Sequence, residues 1–272
     1  MVATTPEGIT RLIVERVLVD RKRPEELRAV EMAHKLGIPA VIESQRGLRR
    51  HEVDSATLCV GSVDFIRAAV ARAGAVLPAH VPYPAALSPW MHRAAGRAPM
   101  LRDLLRQRGR PTFVKPADGW KRFTGRVLHD LHEAHAQQVS VNQPVWWSEP
   151  VAFQSEWRAY CAEGFVLDLQ RCPHTAPDGP TVDGVEVAAA ASALYRSRPD
   201  LRGVVIDFGT LGDGRTSLIE VNDGFSFGAY GTVLAEVVWR VWAARWPGLI
   251  GNARISGPEV PVPGGLPVGQ VS

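Results

Sequence analysis

The chain has 272 residues, 46% of them hydrophobic and 22% charged, the composition of a folded protein long enough for one large or two or three small domains. Lys plus Arg number 31 against 28 Asp plus Glu, and a net charge of +3 suits a small anionic ligand better than a nucleic-acid platform. No apolar run approaches the roughly 20 residues of a bilayer span, and the opening MVATTPEGITR lacks a signal-peptide core, so the expectation is a cytoplasmic protein.

RLIVERVLV (11–19) reads as a strand, and PEELRAVEMAHKLG (24–37) as a helix with Pro near its start and Gly at its end. IPAVIES (38–44) and ATLCVG (56–61) add two more strands, followed by a helix to about residue 73 and a short apolar run at Ala75 to Leu77. This alternation predicts a small parallel α/β domain over 1–85. It contains neither G-x-G-x-x-G nor G-x-x-x-x-G-K-[ST], so no dinucleotide fingerprint or Walker loop is available. Cys59, Cys161 and Cys172 sit singly in or beside apolar strands, without C-x-x-C spacing, and read as reduced core residues.

Residues 78–100 hold five prolines and read as a connection, after which a helix runs from about Met100 to Arg108, stopped by Gly109. PTFVKPADGWKRFTGRVL (111–128) places Lys115 in a strand that enters a turn with Gly119, Lys121 and Arg122. Such a turn either folds over a polyphosphate with backbone N–H groups and cations or is a solvated basic hairpin tip. Only four of the 31 cations are lysines, which makes Lys115 and Lys121 the less expected choice. A buried ammonium needs an anionic partner, so Lys115 calls for a phosphate or a neighbouring acid.

PVWWSEPVAF (144–153) is strand-like around Glu149-Pro150, and EWRAYCAEGFVLDLQRCP (156–173) reads as two strands around Ala162-Glu163-Gly164. Arg158 and Arg171 then lie before and after the turn, as near-partners on neighbouring strands. A Pro/Gly/Asp loop (173–184) and an alanine-rich helix (about 185–197) follow. His129, His132 and His135 fit a polar face better than a metal stripe. A last helix, about 232–246, aligns Trp239, Trp242 and Trp246 for core packing, and the Pro- and Gly-rich tail from 251 is expected to be mobile.

The stretch GVVIDFGTLGDGRTSLIEVNDGFSFGAYG (203–231) organises the rest. Two apolar runs flank Gly212-Asp213-Gly214, which is hairpin turn chemistry. Period-two alternation puts Glu220 and Asn222 on one face of their strand, and across a hairpin Asp207 can share that face. Three hard oxygen donors converging from paired strands suit Mg²⁺, while the bland alternative is a hairpin with acids at its solvent edge. Asp223 reads as a turn acid.

In order and spacing, FVKPADGWKRFTG, SEPVAFQSEWR, VIDFG and IEVND resemble the ATP-grasp superfamily, and EWR, QRC and FVKP resemble its clade distinguished by two arginines and a lysine. The resemblance covers nearly the whole chain except the tail. It implies an α/β (α+β) ATP-grasp fold: a preceding domain, a lysine-strand subdomain at about 100–148 and a metal-binding subdomain at about 149–250, enclosing a nucleotide cleft. By the same resemblance Lys115 contacts ATP phosphate, Lys121 or Arg122 supplies the loop cation, and Glu149 marks the hinge where backbone groups hold adenine. Glu156 accepts from ribose hydroxyls, Asp207, Glu220 and Asn222 hold Mg²⁺, with two ions allowed, and Arg158 and Arg171 grip the phosphoryl group or substrate carboxylate. Arg93, Arg97 and Arg102 are candidates for the family's first ATP-binding cation, and Trp120 and Lys121 make the phosphate loop bulkier than usual.

The implied activity is an ATP- and Mg²⁺-dependent carboxylate–amine ligase that forms an acylphosphate on a small acid, amino acid or peptide. The alternatives are a non-ligating ATP-binding regulatory module and a phosphotransferase on the same fold. Expected partners are a carboxylate and an amine, with no nucleic acid or membrane, and a homodimer is the default assembly. Specificity is expected in loops 78–100 and 173–184.

Overall fold

The computed structural model describes residues 8–117, 123–175 and 178–251. Lys121, Arg122 and the tail beyond 251, on which expectations were placed, lie outside the described residues.

Three sheets carry the described residues. The first is parallel, with β1 (Arg11–Glu15) between β2 (Ala40–Glu43) and β3 (Thr57–Val60). The apolar runs Leu12 to Val14 and Leu58 to Val60 are buried, as suits strands covered on both faces. After β1 come a one-turn helix α1 (Arg16–Asp20) and α2 (Pro24–Lys35), and after β3 comes α3 (Val63–Arg72), capped by the Ser62 hydroxyl accepting from the Phe65 N–H. The apolar run at Ala75 to Leu77 is not a strand, because Pro78 follows at once and the chain leaves the sheet there.

The second sheet is antiparallel, in the order β4 (Ala95–Ala98), β7 (Val145–Ser148), β5 (Thr112–Pro116), β6 (Arg126–Leu128). Helices α4 (Leu101–Arg108) and α5 (Leu131–Ala136) pack on it through Leu101, Leu104, Leu105 and Ala134. α4 ends at Gly109, whose φ of +56° is the left-handed cap that favours glycine. Strand β4 falls inside the segment read as a connection. Its sequence, Ala-Gly-Arg-Ala, has no apolar run to reveal it, and Gly96 lies close under the Trp147 indole, where a Cβ would stand 3.2 Å from it.

The third sheet is also antiparallel, in the order β11 (Thr216–Asp223), β10 (Gly203–Thr210), β8 (Ser155–Ala162), β9 (Phe165–Arg171). Helix α6 (Gly184–Ser197) covers one face through Val187, Ala190, Ala191 and Leu194. The other face meets α7 (Ala235–Gly251), which also packs on α2 and β3 and so joins the third sheet to the first. Trp239, Trp242 and Trp246 are buried in that junction, as the helical spacing predicts. The three cysteines are buried and free.

Candidate active site

Antiparallel pairing aligns four side chains in one row across the third sheet. Glu220 is opposite Asp207, Asp207 opposite Arg158, and Arg158 opposite Gln170. Directly opposed residues share a face, so Glu220, Asp207 and Arg158 look the same way, with Asn222 two residues from Glu220 beside them.

A β-bulge creates this alignment. From the turn, Thr210 pairs with Thr216 and Phe208 with Leu218; the next pair is Asp207 with Glu220, which leaves Ile219 as an extra residue. Without it Asp207 would face Ile219 and Glu220 would point to the other side.

The acids are held by cations and by each other. Arg158 donates to Asp207 through Nε (2.8 Å) and Nη2 (2.7 Å), a buried bidentate pair. Its guanidinium also donates from Nη1 to the Gly228 carbonyl and lies 3.9 Å from the Tyr230 ring centroid. Asn222 Nδ2 donates to Asp207 Oδ2 (2.9 Å) and Glu220 Oε1 (3.3 Å). Lys115 crosses from the second sheet to pair with Glu220 Oε2, with its Nζ 4.8 Å from the Tyr83 ring centroid. Burial presses the Glu220 carboxyl up, but the Lys115 charge and hydrogen bond hold it below its ordinary value. Burial likewise opposes the Arg158 charge, and the pair with Asp207 more than offsets it, so the guanidinium holds its proton beyond its usual range. Glu156, two residues before Arg158 on the same face, is pushed up by burial and then by Asp207 and Glu220.

Two expected site residues are elsewhere. Arg171 is opposite Trp157, not Arg158, and its guanidinium stacks on that indole (4.5 Å) and donates to the Gly179 carbonyl. It therefore lies on the α6 face of the sheet. The reason is a second bulge: Cys161 pairs with Val166 but Tyr160 with Asp168, so Leu167 is extra and the alternation of β9 flips beyond it. Glu149 is also committed within the protein. Its N–H donates to the Ala94 carbonyl, its carboxylate accepts from the Ala94 N–H and Arg110 Nη2, and its carbonyl accepts from the Ser148 hydroxyl. These contacts clasp β7 to the segment entering β4.

The three candidate cations separate. Arg97 on β4 is opposite Trp146, which is opposite Lys115, so Arg97 and Lys115 flank one indole on the same face of the second sheet. Arg102 is half-buried and donates to Asn142 Oδ1. Arg93 donates to the carbonyls of Leu218 and Ile219 at the bulge, between the rings of Tyr83 (5.8 Å) and Phe153 (5.7 Å).

Arg93 belongs to a larger contact. The proline-rich connection lies along the free edge of β11: Val221 N–H donates to Pro82, His80 Nε2–H donates to the Val221 carbonyl, and the Ser217 hydroxyl donates to Met91. It thereby satisfies an edge strand that would otherwise be open. Burial, then the Lys115 charge, lowers the His80 pKa and keeps the ring neutral. Residues 80–93 fall within the 78–100 segment expected to carry specificity, and no site role was read for His80 or Tyr230 in the sequence. Asp223 is not a plain turn acid: at the end of β11 it accepts from Nε (2.6 Å) and Nη2 (2.9 Å) of the fully buried Arg245 of α7.

The donor chemistry fits a hard divalent cation. Two carboxylates and a carboxamide converge, although among the described residues no trio of His, Cys, Asp or Glu does so.

A family model for an ATP-grasp domain, family 2 of the clade named for two arginines and a lysine, matches residues 91–238, more than half of the chain. Among solved structures, a RimK domain protein ATP-grasp from Sphaerobacter thermophilus DSM 20745 is similar at 16% identity and a TM-score of 0.51, over 88% of this chain and 98% of that one. A D-alanine–D-alanine ligase from Bacillus anthracis is similar at 11% identity and a TM-score of 0.51, over 90% of this chain and 97% of that one. No curated protein matches the chain. At these identities the structural likeness shows the fold. Together with the family match it makes the chain an ATP-grasp protein of the two-arginine, one-lysine clade, family 2.

Proposed function

We propose that the protein is an ATP- and Mg²⁺-dependent ligase that joins a carboxylate to an amine. The observation that carries the reading is the meeting of Lys115, from one sheet, with the Glu220–Asp207–Arg158 row of another. Lys115 and Arg158 neutralise the acids. With nucleotide bound, Lys115 and Arg97 are assigned to its phosphates and Glu156 to its ribose. Asp207, Glu220 and Asn222 would hold Mg²⁺, with Asn222 turning its carbonyl oxygen toward the ion. Bound there, the metal supplies charge neutralisation for the phosphates. Arg158 remains to steady the transferred phosphoryl group or the substrate carboxylate, for which its planar fork is suited.

In the proposed reaction a substrate carboxylate oxygen attacks the γ-phosphorus, the bond to the ADP oxygen breaks, and an acylphosphate and ADP result. An amine then attacks the acyl carbon, and loss of phosphate and a proton leaves an amide. The protein's part is positioning and electrostatics. The acid and amine are proposed to be small molecules or peptides.

The test is ADP release with candidate acids and amines, followed by product mass. Condensation with loss of water is the expected result; gain of a phosphate indicates a phosphotransferase, and ATP binding without turnover a regulatory module. Within that assay Arg158→Ala should lose at least about 100-fold in rate, as for loss of a transition-state charge contact. Arg171→Ala, altered on the far face, should lose less than about tenfold, and equal losses would refute the assignment.

A further inference from the structure

The Ile219 bulge decides whether Glu220 faces Asp207, and the contacts around it single out one residue. A bulge breaks the ladder and twists the strand, so its carbonyls need partners from outside the sheet. Here Arg93 Nη2 donates to the Ile219 carbonyl (2.9 Å) and Nη1 to that of Leu218. Nη1 also reaches the Met91 carbonyl at 3.1 Å, which ties the bulge to the connection. The guanidinium carbon lies 5.8 Å from the Tyr83 ring centroid and 5.7 Å from that of Phe153. Phe153 in turn occupies the space left by Gly209 of β10, where a Cβ would stand 2.3 Å from its ring. Each of these contacts restricts the orientation of the fork.

We propose that Arg93 is a positioning residue: by bonding two successive bulge carbonyls it keeps Ile219 extruded and Glu220 in register with Asp207 for metal binding. This rests on the metal assignment above and extends it to a residue that touches neither metal nor nucleotide. Lysine cannot replace it. An ammonium is a point donor on a flexible stem, whereas the fork spans two adjacent carbonyls in a fixed plane.

The experiment is calorimetric titration of the wild type, Arg93→Lys and Arg93→Gln with the non-hydrolysable analogue AMPPNP, in EDTA and over a MgCl₂ series. Positioning predicts that the Mg²⁺ concentration giving half of the full metal-dependent gain in affinity rises at least about tenfold in both variants. Affinity in EDTA should change less than about threefold, which also verifies an intact fold. An unchanged Mg²⁺ requirement overturns the proposal, and an equal loss in EDTA overturns it in favour of a direct phosphate contact by Arg93. A wild type that binds AMPPNP with no Mg²⁺ dependence would instead overturn the metal assignment. Deletion of Ile219 gives a second check, because removing the extra residue leaves Glu220 opposite Asp207 in a regular ladder. In that background Arg93→Gln should shift the Mg²⁺ requirement less than about threefold, and an undiminished shift refutes the bulge account.

Discussion

Replacing Lys115 by methionine tests the centre of the site without requiring a substrate. The Lys115 and Glu220 side chains are 11% and 29% exposed, so the substitution keeps most of the packing and strands a carboxylate in a largely buried place. Removing one partner of a buried pair costs about 3–5 kcal/mol, and the residual exposure of Glu220 favours the lower end. For a chain of this size about 3 kcal/mol corresponds to a fall in Tm of roughly 6–12 °C. If Asp207, Glu220 and Asn222 hold Mg²⁺, the variant should recover with MgCl₂ alone, by about 2.7 kcal/mol at a hundredfold excess over Kd. The wild type should respond less, because there the ion has to displace Lys115. Scanning calorimetry across a MgCl₂ series reads both effects, with Lys115→Met/Asp207→Asn as the control that should not recover. An unchanged Tm would refute the buried pair, and an equal Mg²⁺ response in all three proteins would refute the metal ligands.

Two further outcomes follow from charges away from the row. Arg245→Met leaves Asp223 buried without its bidentate partner and should cost about 3–5 kcal/mol, read as a lower urea midpoint; changing both residues to leucine should recover most of it, and no recovery would count against the pair as the cause. Glu26 of α2 is buried, one of its carboxylate oxygens has no partner among the described residues, and burial pushes its pKa up to about 7. The folded state then holds this proton where the unfolded chain, near its ordinary 4.5, has lost it. Stability should therefore fall as pH rises from about 4.5 to about 7. Glu26→Gln should flatten that part of a plot of urea midpoint against pH, and parallel plots would show that Glu26 does not titrate in this way.

Much of the site was legible because short connections constrain their neighbours. Gly212-Asp213-Gly214 announces a hairpin, the acids stand at the ends of its strands, and Lys115 stands in an apolar strand that needs a partner for it. Two single-residue bulges were not legible. Nothing in Ser-Leu-Ile-Glu or Phe-Val-Leu-Asp marks Ile219 or Leu167 as extra, yet the first brings Glu220 to Asp207 and the second carries Arg171 away from Arg158. The contacts of Glu149 with Ala94 and Arg110 were hidden for a similar reason. Its position at the end of β7 was clear, but β4, whose approach it clasps, carries no strand signal.

The sequence by itself determined most of the strands and helices, though not β4 or the turn of helix α1 inside the run read as one strand, together with the hairpin, the tryptophan face of α7 and the family to which the chain belongs. These depend on periodicity, turn chemistry and motif order, which act between residues close along the chain. Only the tertiary structure decided which acids and arginines share a face, that Lys115 meets Glu220, and that Arg93 serves the backbone of β11. Side-chain facing in a sheet has a period of two, so one extruded residue reverses it, and the contacts that hold such a residue out come from distant segments.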